Sequence, residues 1–223
     1  MSAPFEVRAV LFDLDGTLAD TAPDLGGAVN RMRERRGMGA LSLEALRPVA
    51  SSGARGMLGV GFDVAPGMPH YESMRDEFLA EYESALDRDS RLFEGITECL
   101  AALRAQGLSW GIVTNKAERF TRPVVAGLGL AAHAAVVISG DTTPHPKPHP
   151  APLLEACRQL GIAVHQAVYV GDDLRDMQAA RAAGMPCIAA AYGYLGGTPD
   201  VSAWEPDAVI ATPAALPALL RAL

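Results

Sequence analysis

Two aspartates at the end of an apolar run are the residues of this sequence best placed to do chemistry. Ala9–Phe12 is apolar throughout, Asp13 and Asp15 follow with one residue between them, and Gly16 and Thr17 close the stretch AVLFDLDGT. Burying one carboxylate beside another is costly unless a cation or hydrogen-bond donors compensate. The pattern points to a site at the carboxyl end of a strand; on these residues alone the alternative is a solvated Asp-Leu-Asp-Gly turn. Three further stretches put polar groups just past an apolar run. In Val113-Thr114-Asn115-Lys116, a hydroxyl and the N–H groups of a following helix can hold a phosphate or simply cap the helix. Between Pro144 and Pro150, alternating prolines hold the backbone extended and fix the direction of Lys147, a cation suited to a pocket. His145 and His149 read as loop residues, because the prolines forbid a helical pair of metal ligands. Last, Asp172, Asp173 and Asp176 are spaced to crowd the amino end of one helix, where the dipole favours negative charge, either as a site or as an N-cap with an acidic first turn.

Positioning these groups takes a sheet. Residues 9–12 read as a strand buried on both faces. From Phe93 onward helices and short apolar strands alternate: helix 95–106, strand 108–114, helix 116–127, strand 135–139, helix 150–160, strand 167–171, helix 173–183, strands 186–191 and 207–210, and helix 213–222. That alternation predicts an α/β fold with a doubly wound parallel sheet, and each polar stretch falls at a strand end. The block from Thr21 to about Arg91 reads as helices without a strand. One covers 22–36, capped by Asp20 or Thr21 and stopped by Gly37 and Gly39; Ser42 opens another; Pro69 starts a long one with Met74, Phe78, Tyr82 and Leu86 every four residues. Arg31, Arg33, Arg35 and Arg36 spread around the first helix and predict a solvated face. The glycines from Gly53 to Gly61 do not follow a strand, so they predict close helix packing or an inter-helix loop rather than a dinucleotide site, with Arg55 the one group of chemical interest. Residues 192–206 read as a surface connection.

With 223 residues at 49% hydrophobic content, the chain can build one α/β core and a smaller second unit. A formal charge of −7 argues against a nucleic-acid or anionic-membrane partner, yet leaves room for a small anionic substrate in a locally positive pocket. No apolar run reaches the ~20 residues of a membrane span, and Met1–Arg8 has no apolar signal segment. A soluble, cytoplasmic protein is the expectation. Cys99, Cys157 and Cys187, odd in number and without a CxxC, read as reduced core thiols. Of nineteen basic residues only Lys116 and Lys147 are lysines. Nothing in these patterns specifies an oligomer.

The order DxDGT, VTN, KPxP and GDDxxD, each at a strand end, closely resembles the haloacid dehalogenase-like (HAD) hydrolase superfamily, over the whole core from Ala9 to Ala191. The helical insertion after the first motif resembles the C1-capped members, and the chain looks like the phosphoglycolate phosphatase group. SGAR, RLFEG, WGIVTNK, GDDLRD, the late YGY and Trp204 are similar to the branch that hydrolyses N-acetylmuramic acid 6-phosphate. The resemblance implies a HAD core at 1–18 and 92–223 with a helical cap at 19–91.

It also implies roles. Asp13 would be the nucleophile that forms an aspartyl-phosphate, and Asp15 the general acid and base. Thr114 and Asn115 would hold the phosphoryl oxygens with Lys147 opposing their charge. Mg²⁺ would sit among Asp13, the Asp15 carbonyl and Asp172. Asp173 or Asp176 would order a metal-bound water or Lys147, and Thr17 would support the site. Arg55 would face a substrate carboxylate from the cap, the alternative being a solvated helix residue. Asp15 sets the chain apart from the dehalogenases of the superfamily. The absence of lysine between Leu18 and Asn115 excludes the Schiff-base chemistry of phosphonoacetaldehyde hydrolases. A sugar-phosphate mutase and a non-catalytic binder of phosphorylated metabolites are the competing readings.

Overall fold

The computed structural model describes residues 6–198 and 200–222; the first five residues of the Met1–Arg8 stretch lie outside them. The chain opens with β1 (Ala9–Phe12), a two-residue β2 (Ala19–Asp20) and helix α1 (Ala22–Arg35). A short α2 (Leu43–Leu46), α3 (Gly53–Phe62) and α4 (Tyr71–Glu83) complete the helical block, which returns through β3 (Arg91–Leu92). Then follow α5 (Ile96–Ala105), β4 (Ser109–Val113), α6 (Glu118–Gly127), β5 (Val137–Ile138), α7 (Ala151–Leu160), β6 (Ala167–Gly171), α8 (Leu174–Ala183), β7 (Cys187–Ala190), β8 (Ala208–Ile210) and α9 (Leu216–Leu220).

Six strands form one parallel sheet in the order β5-β4-β1-β6-β7-β8, the doubly wound arrangement expected from the alternation. The chain leaves β1 on one side for β4 and β5, then crosses to β6 on the other, so the strand order reverses at β1. The apolar run of β1 is explained by its two covered faces. Val10 and Phe12 pack with Trp110, Ile112, Val168 and Val170, while Leu11 packs with Val113, Tyr169 and Cys187 on the opposite side. The three cysteines are buried thiols, and no helix among the described residues is long and apolar enough to cross a membrane.

The helical block carries a third cluster, with Leu25, Val29, Met32, Met57, Leu58, Phe78 and Tyr82 at its centre. Two of the α3 glycines serve close packing. A Cβ on Gly56 would run into the Val49 carbonyl, and one on Gly61 would meet Val29 of α1.

Several expectations need correction. The block is framed by a strand pair that the sequence did not show: β2 just before it and β3 at its end pair antiparallel, too short to show a period. The closing helix 213–222 is a 3-10 turn at Pro213–Ala215 followed by α9. Arg35 and Arg36, at the end of α1, are exposed as expected, but the arginine face is also paired. Arg31 and Arg35 pair with Glu81 at 3.0 and 2.9 Å, and Arg36 pairs with Glu77 at 2.5 Å, so they bolt α1 to α4. Spacing within one helix could not reveal the acids of another. Thr21, expected to cap α1, makes no side-chain cap bond because its hydroxyl is turned to Asp15.

Candidate active site

Strand register builds the site. Phe12 is level with Ile112 on one side and Val170 on the other, so Asp13 leaves the same sheet edge as Thr114 and Asp172. Close approach there demands glycine. A Cβ on Gly16, which has φ +93°, would fall on the Asp172 carboxylate, one on Gly193 would strike Asp172 and the Gly16 carbonyl, and one on Gly171 would overlap Asp176.

Asp13, Asp172 and Asp176 are all buried, and one carboxylate oxygen from each lies within 4.8 Å of the others. The cation among them is Lys147, 3% exposed. Its Nζ lies 3.0 Å from Asp13 and 2.7 Å from Asp176, and donates to the Val113 carbonyl and the Tyr169 hydroxyl at 2.9 and 2.7 Å. One ammonium, in contact with two of them, is therefore set against a cluster of three carboxylates. Burial pushes Asp13 up to about 7 against the pull of Lys147, with the charges of Asp176 and Asp15 adding to the rise. Burial first, and then repulsion from Asp13 and Asp176, hold Asp172 well above the usual carboxylate range, although Thr17 Oγ1 and the Tyr194 N–H each donate to it at 2.9 Å. A buried oxygen-only donor set short of positive charge is chemistry that fits a hard divalent cation such as Mg²⁺.

Lys147 is aimed differently from the expected manner. The Pro144–Pro150 run is not extended: the His149 N–H closes a turn on the Pro146 carbonyl at 3.0 Å, and the Lys147–Pro148 peptide is cis. Asn115 fixes the lysine's backbone instead, accepting from the Lys147 N–H and donating to its carbonyl, both at 2.8 Å. Both ends of the Asn115 amide are committed to that task. Thr114 is buried beside them, its Oγ1 accepting the Lys116 N–H at 3.1 Å. At the start of α8 the two remaining acids separate. Asp176 holds Lys147, whereas Asp173 caps the helix and takes a bidentate bond from Arg175 at 2.8 and 2.9 Å. Burial works against the charge of Asp173, but the Arg175 fork outweighs it and keeps the carboxyl below its ordinary value.

Asp15 points away from the cluster. Its Oδ1 accepts from the Thr21 hydroxyl and from Lys116 Nζ, the latter at 2.8 Å. The two lysines of the chain thus face the two aspartates of the first motif, and Lys116 is a site residue that motif reading missed; its rarity in an arginine-rich sequence was the available signal. Arg175, hidden inside GDDLRD, also reaches the Ser51 carbonyl of the helical block at 2.8 Å. The 192–206 stretch is not a mere surface connection. Tyr194, Val201 and Trp204 are buried, and the Tyr194 hydroxyl accepts the N–H groups of Thr21 and Ala22 at 2.7 and 2.9 Å.

Asp13, Asp15, Thr114, Lys116, Lys147, Asp173, Arg175 and Asp176 form the floor of a cavity of about 490 Å³. Its walls come from the helical block and include Arg55, Tyr71, Phe78, Leu79 and Tyr82. Arg55 is exposed, with no ion pair among the described residues, on α3 rather than in a loop.

Comparison with known proteins agrees with this geometry. The family described as haloacid dehalogenase-like hydrolase matches residues 10–190. A phosphoglycolate phosphatase of Xanthomonas campestris is 47% identical over 206 residues, covering 92% of this chain and 93% of that protein. An N-acetylmuramic acid 6-phosphate phosphatase of Pseudomonas aeruginosa is 41% identical over 207 residues, covering 93% and 92%. Among solved structures, a predicted phosphoglycolate phosphatase from Haemophilus somnus superposes with a TM-score of 0.84 at 27% identity, covering 97% of this chain and 99% of that one. The chain belongs to the haloacid dehalogenase-like hydrolase family, among its phosphatases.

Proposed function

We propose that the protein is a cytoplasmic, Mg²⁺-dependent phosphomonoesterase that hydrolyses a small carboxylate-bearing phosphate ester, 2-phosphoglycolate or N-acetylmuramic acid 6-phosphate, through an aspartyl-phosphate. The observation that carries this is the buried cluster of Asp13, Asp172 and Asp176 at the carboxyl end of the central strand, with Asp13, Asp176 and the Lys147 that pairs with both lining a 490 Å³ cavity. Asp13 is the nucleophile: Lys147 and the Leu14 N–H, each bonded to its Oδ1, hold the carboxylate in one orientation. Thr114 and nearby N–H groups receive the phosphoryl oxygens, and Lys147 opposes the charge shared by Asp13 and phosphate. Asp15 gives a proton to the leaving alkoxide and takes one from the water that cleaves the intermediate. Asp13, Asp172 and the Asp15 carbonyl would hold Mg²⁺. When bound, the ion neutralises charge on the carboxylates and phosphate and polarises the phosphoryl group. Asp176 keeps Lys147 in place, Thr17 orients Asp172, and Asn115 shapes the loop.

The cap at 19–91 supplies specificity, with Arg55 offering a guanidinium to the substrate carboxylate. The volume favours the larger ester, since a two-carbon phosphate would leave much of the cavity to water. Charge and family point to small molecules rather than nucleic acid or membrane as partners.

Phosphate release from both esters and from common sugar phosphates, with Mg²⁺, with Ca²⁺ and with EDTA, tests the reading. Turnover should require Mg²⁺ and be poorly supported by Ca²⁺. Full activity in chelator would end the metal assignment, and conversion to a phosphorylated isomer without phosphate release would favour a mutase. Arg55→Ala should lower kcat/KM on the carboxylated ester about ten- to a hundredfold relative to an aryl phosphate.

A further inference from the structure

Helix α1 opens without an acceptor of its own. Thr21, its N-cap residue, has φ −100° and ψ −1° rather than the extended backbone from which an N-cap side chain reaches its helix. Pro23 has no N–H to offer, and the Thr21 hydroxyl donates to Asp15 Oδ1. The acceptor comes from 173 positions away. The Tyr194 hydroxyl takes the N–H groups of Thr21 and Ala22 at 2.7 and 2.9 Å and donates to Asp20 Oδ1 at 2.9 Å, so its one donor and two lone pairs are all used. Its ring sits among the apolar side chains of the helical block, and its own N–H lies on Asp172. Burial, with the charges of Asp20 and Asp15 adding to it, holds the phenol above its ordinary value, so it keeps the proton that it gives Asp20.

Capping from across the fold leaves Thr21 free for Asp15. Thr21 Oγ1 and Lys116 Nζ both bond Asp15 Oδ1, so Oδ2 is the oxygen left to carry a proton. Without the phenol oxygen, the first N–H groups of α1 lose their acceptor. The local remedy is for Thr21 to take the extended backbone and turn its hydroxyl onto the Asp24 N–H, which releases Asp15 from one of the two bonds that orient it. We propose that Tyr194 is a positioning residue for the general acid: by capping α1 it commits the Thr21 hydroxyl to Asp15. This rests on the phosphatase reading above, in which Asp15 gives a proton to the oxygen whose bond to phosphorus breaks as Asp13 attacks.

The test compares 4-nitrophenyl phosphate, whose phenolate leaves without a proton, with phenyl phosphate, whose phenolate gains from one. The readout is the ratio of their kcat/KM values with the Mg²⁺-loaded enzyme, which is the same whatever fraction of the sample is folded. Asp15→Asn should raise the ratio most. Tyr194→Phe, which keeps the ring and the N–H bond to Asp172, should raise it about tenfold. Thr21→Val should do the same and Thr21→Ser should keep the wild-type ratio. Adding Tyr194→Phe to Thr21→Val should raise it no further, because both act through one bond. A wild type that hydrolyses neither aryl phosphate, nor 2-phosphoglycolate, nor N-acetylmuramic acid 6-phosphate ends the phosphatase reading. An Asp15→Asn enzyme with the wild-type ratio ends the acid assignment and the proposal with it. If Asp15→Asn shifts the ratio but Tyr194→Phe slows both esters equally, Tyr194 serves only the fold and the proposal is overturned. Thr21→Val with the wild-type ratio, or an effect of Tyr194→Phe that adds to it, overturns the proposal as well.

Discussion

Lys147 and Lys116 each hold one aspartate of the first motif, and that division separates the roles of the two carboxylates. Asp13 is buried and gripped at 3.0 Å by Lys147, and an amide in its place can neither attack phosphorus nor carry the acyl phosphate. Asp13→Asn should lower turnover at least about 10³-fold while circular dichroism and melting show an intact fold. Asp15 faces the cavity between Thr21 and Lys116. Asp15→Asn should slow alkyl ester hydrolysis by roughly 10²- to 10⁴-fold, read under single-turnover conditions, where formation and breakdown of the intermediate are both retarded. Normal turnover in either variant would remove its residue from the mechanism.

Among elements, the joint between α1 and α4 has a pH signature. The Arg36 bond, with help from Arg35, pulls Glu77 down to about 2. A carboxylate depressed on folding stabilises the protein above its unfolded value, and that contribution fades as pH falls from about 5 toward 2. The pair is partly solvated, so after screening it is worth about 1 kcal/mol. Glu77→Gln should destabilise the protein by that amount at pH 7, and the gap between variant and wild type in urea unfolding should close toward pH 2. A gap that persists in acid would assign the effect to packing. On the other side of the site, the turn after β7 sets Asp172. Gly193→Ala places a methyl against that side chain, and should raise the Mg²⁺ concentration needed for half-maximal activity about tenfold or more, as measured by metal titration.

For the whole molecule, three buried carboxylates against one ammonium predict that a divalent cation raises stability. Binding only to the folded state adds about 2.7 kcal/mol when Mg²⁺ is at a hundred times its dissociation constant. For a chain of this size that corresponds to a rise of about 5–10 °C in Tm. EDTA should reverse the rise, and Asp172→Asn should reduce it. An unchanged melting temperature across the titration would argue against a metal at the cluster.

The groups that can do chemistry were legible in the sequence because their signals are local. An apolar run ending in Asp13 and Asp15, a Thr114 behind another run, and acids three and four residues apart at 172–176 act through neighbours on one strand or one helix turn. The sheet followed from the same periodicity, as did most strand positions to within two residues. Pairing across the fold was not legible, because it depends on register and packing between distant segments. Lys116 meets Asp15 over 101 positions and Tyr194 meets Thr21 over 173. Spacing alone could not tell that Asp176 rather than Asp173 would hold Lys147, that Asn115 would brace the lysine loop, or that the arginines of α1 would find Glu77 and Glu81. The sequence by itself determined which strand ends carry Asp13, Thr114 and Asp172. Only the tertiary structure decided which cation answers which carboxylate, since that choice is made by side chains that meet after the sheet has closed and the helical block has folded over it.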